Sequence, residues 1–353
     1  MSNRPVRSAG VICLLVLFAI AACGPGLTPD EQKYVRAHDE TGAAGFVKKI
    51  FSRYFFASSL SSRPDRVFQG HTSIVWTVDF APDGKTLASG GADKDIIVWN
   101  AESGVAVHTL RAHTETVMRV AFSPDGRILA SGAQDRLIHL WDTASGTLSG
   151  TLAGHDGWIV SLAFSPDGKR LASASNDRRI ILWDMAQRRI EKVLEGHGDV
   201  VDAVSFSPDG KRLASGGDDN AVIVWDVQKG EPLMTLRGHA SFLKAVSYAP
   251  DGRTIASAGL DQKIILWDAA TGRRIRTLAG QDSMIFCIGW TRDGSRLASG
   301  GNSILIWDVA GGEILRSIRS FYGFVNGVSF SPDGRHLASA QYDKTVLLFD
   351  RIP

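Results

Sequence analysis

Histidine, serine and aspartate are the side chains of acyl transfer, and this chain carries them together five times. They stand as His71, Ser89 and Asp93; His113, Ser131 and Asp135; His155, Ser173 and Asp177; His197, Ser215 and Asp219; and His239, Ser257 and Asp261. A base, a hydroxyl nucleophile and a carboxylate that orients the base would make a hydrolase. Each set, however, ends on a tryptophan (Trp99, Trp141, Trp183, Trp225, Trp267), and successive sets are 42 residues apart. An active site is built once, whereas a part repeated at one interval is a brace. The sets are read as structural, no catalytic residue is assigned, and the chain is not expected to be an enzyme.

Other chemistry is equally sparse. There is no glycine-rich phosphate cradle, no dinucleotide fingerprint and no His or Cys cluster at metal-ligand spacing, so no cofactor and no metal is expected. The 39 basic residues nearly balance the 37 acidic ones. Arg4 and Arg7 lie in the first 22 residues, which hold no acidic group; without that segment the count is 37 against 37. A neutral chain has no electrostatic footprint for nucleic acid or an anionic membrane surface. Cys13, Cys23 and Cys287 suggest neither a disulfide framework nor a metal knuckle. Cys287, in the strand-like "MIFCIGW", reads as a small buried hydrophobe.

The 42-residue interval defines the elements that hold the braces. The turn "PDG" recurs at Pro82, Pro124, Pro166, Pro208, Pro250 and Pro332, and "RDG" at Arg292 keeps the register. In "GHDGWIVSLAFSPDGKRLASASNDRRIILWD", Ile159, Leu162 and Phe164 mark a first apolar strand. Ser-Pro-Asp-Gly is a tight turn, with proline presetting φ and glycine accepting a positive one. "RLASAS" and "RIILWD" are two further strands, and "RIEKVL" is a fourth. Such a period, with Gly-His near its start and Trp-Asp near its end, resembles the WD-repeat family of β-propellers. The resemblance runs from Gly70 to Pro353. It implies an all-β, seven-bladed WD-repeat β-propeller. It also implies a role for each brace: histidine pairs with the turn aspartate and with serine, and serine meets the indole N–H, so that each buried donor finds an acceptor.

The last two units depart from the pattern. The sixth has Gln281 in place of histidine, is two residues short at "GGNSILIWD" and lacks the turn aspartate, while keeping Ser299 and Trp307. The seventh has Phe321 and Phe349 in place of histidine and tryptophan, and keeps Ser339 and Asp343. Apolar strand positions persist at Ile285, Trp290, Val325 and Phe330, so both are expected as blades with incomplete braces and lower local stability. The seventh also lacks a fourth strand. Val67 and Phe68 align with Thr151-Leu152 and Thr235-Leu236, which end fourth strands elsewhere. Arg63 to Phe68 is therefore expected beside Val346 to Phe349, where this N-terminal strand completes the last blade and covers its open edge.

Three regions result: 1–22, 23–61 and the propeller 62–353. The first reads as a secretory signal peptide, with arginines before an apolar run, Val11 to Ala22, too short to span a bilayer comfortably. Ile20-Ala21-Ala22-Cys23 resembles the bacterial lipobox, which implies a diacylglycerol on Cys23; two acyl chains are what stable anchoring requires. Gly24 follows rather than Asp, which implies outward sorting in a host with an outer membrane. The alternative is an ordinary cleavage near the same small residues. Within the linker, residues 44–56 read as a short amphipathic helix that packs either on the propeller or in the membrane interface.

In this family the residues three and five after the Gly-His histidine face the top of the ring. Here they include Trp76, Met118, Trp158, Asp202, Phe242, Lys244, Met284, Phe286 and Phe324. A solvated face is normally polar, and an apolar one marks an interaction site. The expectation is an exported, lipid-anchored, non-catalytic scaffold on the outer side of a bacterial cell envelope, binding envelope proteins and no nucleic acid. The alternative is a ligand sensor or enzyme using the central channel, with Asp202 and Lys244 as its polar positions.

Overall fold

The structure, a computed structural model, describes residues 63–320, 323–350 and 352. The segment 1–22 expected as a signal peptide, Cys23, the expected linker 23–61 with its 44–56 segment, and Phe321 lie outside the described residues.

Alternating apolar runs become strands β1 to β28, grouped in seven four-stranded antiparallel sheets. In the first blade the order is β2 (Val75–Phe80), β3 (Thr86–Gly91), β4 (Ile96–Asn100) and β5 (Ala106–Leu110). The next five blades repeat it with consecutive strands. The inner strands of the later blades are β6 (Val117–Phe122), β10 (Ile159–Phe164), β14 (Val201–Phe206), β18 (Leu243–Tyr248), β22 (Cys287–Trp290) and β26 (Val325–Phe330). Each touches the next, and β26 touches β2, so the inner strands form a closed ring.

Closure falls where the missing strand was expected. The last sheet runs β1 (Arg66–Phe68), β28 (Val346–Phe349), β27 (Leu337–Gln341), β26. Its register is Arg66↔Leu348, Val67↔Leu347 and Phe68↔Val346, and Asp65 N–H donates to Leu348 O at 2.9 Å. The strand is shorter than the expected span because Pro64 has no N–H to pair. Phe68 is almost fully buried, 5.6 Å from the Trp99 ring centroid, in a cluster with Val75, Phe80, Ala340 and Leu348. Burying a side chain of this size is worth about 2 kcal/mol. The closing strand thus joins the last blade to the first.

Adjacent blades share their cores, and small residues let them approach. Ala88, Ala130, Ala172, Ala214, Ala256, Ala298 and Ala338 are wholly buried in the second strands. A Cβ on Gly90 would lie 2.6 Å from a Val117 methyl of the next blade, so only glycine fits there. The Pro-Asp-Gly turns close as read: Gly84 N–H donates to Ala81 O at 2.9 Å with φ +69°.

Candidate functional site

The braces fix the strand ends from which the top face is built. In the first five blades histidine Nδ1 lies 2.8–2.9 Å from the aspartate, and Nε2 lies 2.7–2.8 Å from the serine Oγ. The tryptophan indole N–H donates to the same Oγ at 2.8–2.9 Å. The aspartate also accepts the backbone N–H after the histidine, for example Thr72 at 2.7 Å. Burial works against Asp93, Asp135, Asp177, Asp219 and Asp261 as anions, but these donors outweigh it and hold all five below the usual carboxylate range. Burial pushes the His155 and His239 imidazoles down, away from the cationic form a protonated dyad would need. Every serine of these sets is fully buried and already holds two partners.

The sixth and seventh blades correct the expectation of incomplete braces. In the sixth, Ser299 Oγ donates to Gln281 Oε1 at 2.9 Å, Trp307 donates to Ser299 at 2.9 Å, and Gln281 Nε2 donates to Ser303 O at 3.0 Å. The carboxamide offers acceptor and donor in one side chain, so no turn aspartate is needed. In the seventh, Gln341 Nε2 donates to Ser339 Oγ at 2.7 Å and Oε1 accepts from Ser320 Oγ at 3.1 Å. Gln341 thus supplies the donor that Phe349 cannot, while Asp343, among the described residues, accepts from Thr345.

A bulge sets the rim of the ring. Register shifts lie between Val75 and Thr77, Val117 and Arg119, Ile159 and Ser161, Val201 and Ala203, Leu243 and Ala245, and Val325 and Gly327. Trp76, Met118, Val160, Asp202, Lys244 and Asn326 are the extra residues, left out of the ladder and half-buried. Bulges re-aim a side chain in this way beside functional surfaces. In the sixth blade Phe286 precedes β22 instead and holds Gly300 O through its N–H at 2.9 Å.

The apolar exposure is more concentrated than the sequence suggested. Trp158 is 48 % exposed, Phe242 44 % and Met284 37 %. Trp76, Met118, Phe286 and Phe324 are half-buried, and Phe286 meets Phe324 edge-on at 5.2 Å. The Trp76 indole N–H is buried and has no partner among the described residues. Beside these rings Lys244 Nζ lies 3.1 Å from Asp202 Oδ1, 2.7 Å from Asp218 Oδ1 and 5.7 Å from the Phe242 ring centroid. Burial pushes Asp202 up to about 7, against the pull of Lys244, and the Asp218 carboxylate adds to the rise. Burial also works against the Lys244 cation, yet the two carboxylates prevail and raise its pKa. Lys244 therefore stays charged while Asp202 takes up a proton near neutrality.

These seven braced sheets agree with the family comparison. The model of the WD domain, G-beta repeat, matches residues 62–100, 104–142, 146–184, 188–226, 230–268, 272–308 and 313–350. The chain belongs to the WD-repeat family. Similar curated proteins include Protein Mut11 of Chlamydomonas reinhardtii, 41 % identical over 51 residues, 14 % of this chain and 14 % of that protein. Eukaryotic translation initiation factor 3 subunit I of Phaeosphaeria nodorum is 43 % identical over 42 residues, 12 % of this chain and 13 % of that protein. The Notchless protein homolog of Arabidopsis thaliana is 36 % identical over 61 residues, 17 % of this chain and 13 % of that protein. The matches span only about a seventh of those relatives' length, or one to two repeats.

The sequence reading missed two members of this WD-repeat rim. Asp218 joins the Lys244 cluster from the position before the turn aspartate, and Tyr342, 49 % exposed, holds the same place in the seventh blade. The doubled aspartate of "GGDDN" is the only trace of the first. In the third blade that position is Asn176, whose Oδ1 accepts the Trp158 N–H at 2.6 Å. The hairpin tip and the residues after the histidine therefore share one face.

Proposed function

We propose that this WD-repeat chain is an exported, lipid-anchored scaffold that binds proteins of the cell envelope through the top rim of its propeller. WD-repeat propellers act as protein-interaction scaffolds, and the finer reading rests on one observation. Trp158, Phe242 and Met284 stay exposed at the same repeat position of the third, fifth and sixth blades, and Lys244, paired with Asp202 and Asp218, lies 5.7 Å from the Phe242 ring centroid. Exposed large apolar side chains on a rim that also carries a charged cluster suit a binding hot spot. The lipobox-like Ile20-Ala21-Ala22-Cys23 supports the anchor. The five His-Ser-Asp sets are occupied by their braces, which supports a non-catalytic role.

The test is a folded W158A/F242A variant compared with the wild type by cross-linking and copurification from the envelope fraction. A defined protein partner should accompany the wild type and be lost from the variant; unchanged recovery would remove the rim from the account. Incorporation of a labelled fatty acid that disappears in C23S tests the anchor separately. The charged cluster also favours a second reading, a ligand sensor at the channel mouth. In that case D202N would abolish binding of a small cationic ligand while leaving protein recovery intact.

A further inference from the structure

The second blade departs from the others at two neighbouring positions. Two residues before the tryptophan, or its phenylalanine replacement, the other blades hold Ile97, Ile181, Ile223, Ile265, Leu305 and Leu347; this blade holds His139. Before the brace histidine or its glutamine replacement, Gly70, Gly154, Gly196, Gly238 and Gly280 stand where this blade has Ala112. The two positions are neighbours in the fold: a Cβ on Gly70 would lie 2.8 Å from the Trp99 ring and 3.2 Å from Ile97 Cδ1. At Gly238 the corresponding isoleucine methyl is 3.7 Å away, an ordinary contact. Sterics do not explain why the side chain at 139 carries two nitrogens.

His139 is buried, its ring 4.2 Å from that of His113 and edge-on to Trp141 at 5.9 Å. Its Nδ1 lies 2.9 Å from Thr151 Oγ1, and the Ala112 backbone is a second partner for the ring. His113 Nδ1 lies 2.8 Å from Asp135 Oδ2. One potential ligand atom from each of His113, Asp135 and His139 lies within 4.8 Å of the other two. Asp135 is oriented by the N–H of Thr114 at 3.0 Å and of Leu137 at 3.1 Å.

We propose that His113, Asp135 and His139 form a binding site for a divalent first-row transition metal of the zinc class. Two imidazoles and one carboxylate are borderline donors, suited to zinc rather than to calcium or magnesium. The proton on His113 Nδ1 moves to Nε2, where Ser131 Oγ accepts it at 2.8 Å, so the neutral ring coordinates through Nδ1 and no net proton is released. His139 donates Nδ1–H to Thr151 and coordinates through Nε2, giving up Ala112. Thr151 and the two backbone donors then serve as the outer hydrogen bonds that orient the ligands. Sequence spacing hides this site, since residue 113 meets 135 and 139 only across the blade.

The experiment uses the full chain without a polyhistidine tag, stripped with chelator and titrated with Zn²⁺ by calorimetry. One equivalent should bind and raise the melting temperature. The double variant A112G/H139I restores the pair found in the first and third blades, so it keeps its fold, and it should bind ~100-fold more weakly or not at all. T151V leaves all three ligands in place and should weaken binding about tenfold. No uptake by the wild type, or equal uptake by A112G/H139I, would overturn the site, the latter by placing the ion on groups such as His108 or His336.

Discussion

The first five blades and the last two satisfy the same serine by different chemistry. Ser89, Ser131, Ser173, Ser215, Ser257, Ser299 and Ser339 are all fully buried, and each must pair its hydroxyl. In five blades a histidine held by an ionised aspartate does this; in two a neutral glutamine does, from the histidine position in one (Gln281) and from the second strand in the other (Gln341). The seventh blade goes further and takes its outer strand from the other end of the described chain. The comparison teaches that the constant part of the brace is the hydroxyl. The histidine–aspartate pair is one way of serving it, and the way that brings a buried charge and a pH dependence.

The largest test concerns the closing strand. Deleting residues 63–68 uncovers β28 and removes Phe68 from Trp99, so the monomer should lose its cooperative melt or self-associate in size-exclusion chromatography. A variant melting as before would make the seventh blade self-sufficient and the comparison wrong. Next is H155A, which takes one partner from each of Ser173 and Asp177 in a buried site and should cost about 2–3 kcal/mol in chemical denaturation. Q281A removes a neutral partner and should cost about 1–2 kcal/mol. If Q281A proved the more damaging, glutamine would be the stronger brace.

Acid separates the two groups more finely. The five brace aspartates have folded pKa values below the ordinary 3.8, so their contribution is complete above that pH and is lost as pH falls through the folded values. Hydrogen exchange at pH 3 should therefore open strands of the first five blades ahead of residues 296–308. Asp202 has the opposite sign. Its pKa rises from 3.8 to about 7, so the stability tied to its proton is complete below 3.8 and is lost as pH rises through 7. D202N should accordingly gain more in melting temperature over the wild type at pH 8 than at pH 5.5; an equal gain would show that Asp202 keeps its charge. This is the smallest expected effect.

Much of the fold was legible because the repeat is periodic. The tryptophans at one interval, the Pro-Asp-Gly turns and the pair Val67-Phe68 place every sheet and the closing strand, and the brace sets fall on corresponding positions. The site was legible only in outline. Trp158, Phe242 and Met284 stand out by residue type, but nothing in the order of residues says that Phe286 and Phe324 cover each other, or that Trp76 and Met118 are half-buried.

What the sequence determined by itself was the set of positions that recur, because backbone pairing and strand alternation follow local pattern. Tertiary structure decided which side chains meet across the repeat. Gln341 reaches Ser339, Asp218 reaches Lys244 from a neighbouring blade, and His139 lies against His113. Those partnerships depend on the reach of a side chain and on the space its neighbours leave. Both are properties of packed volume and not of order along the chain.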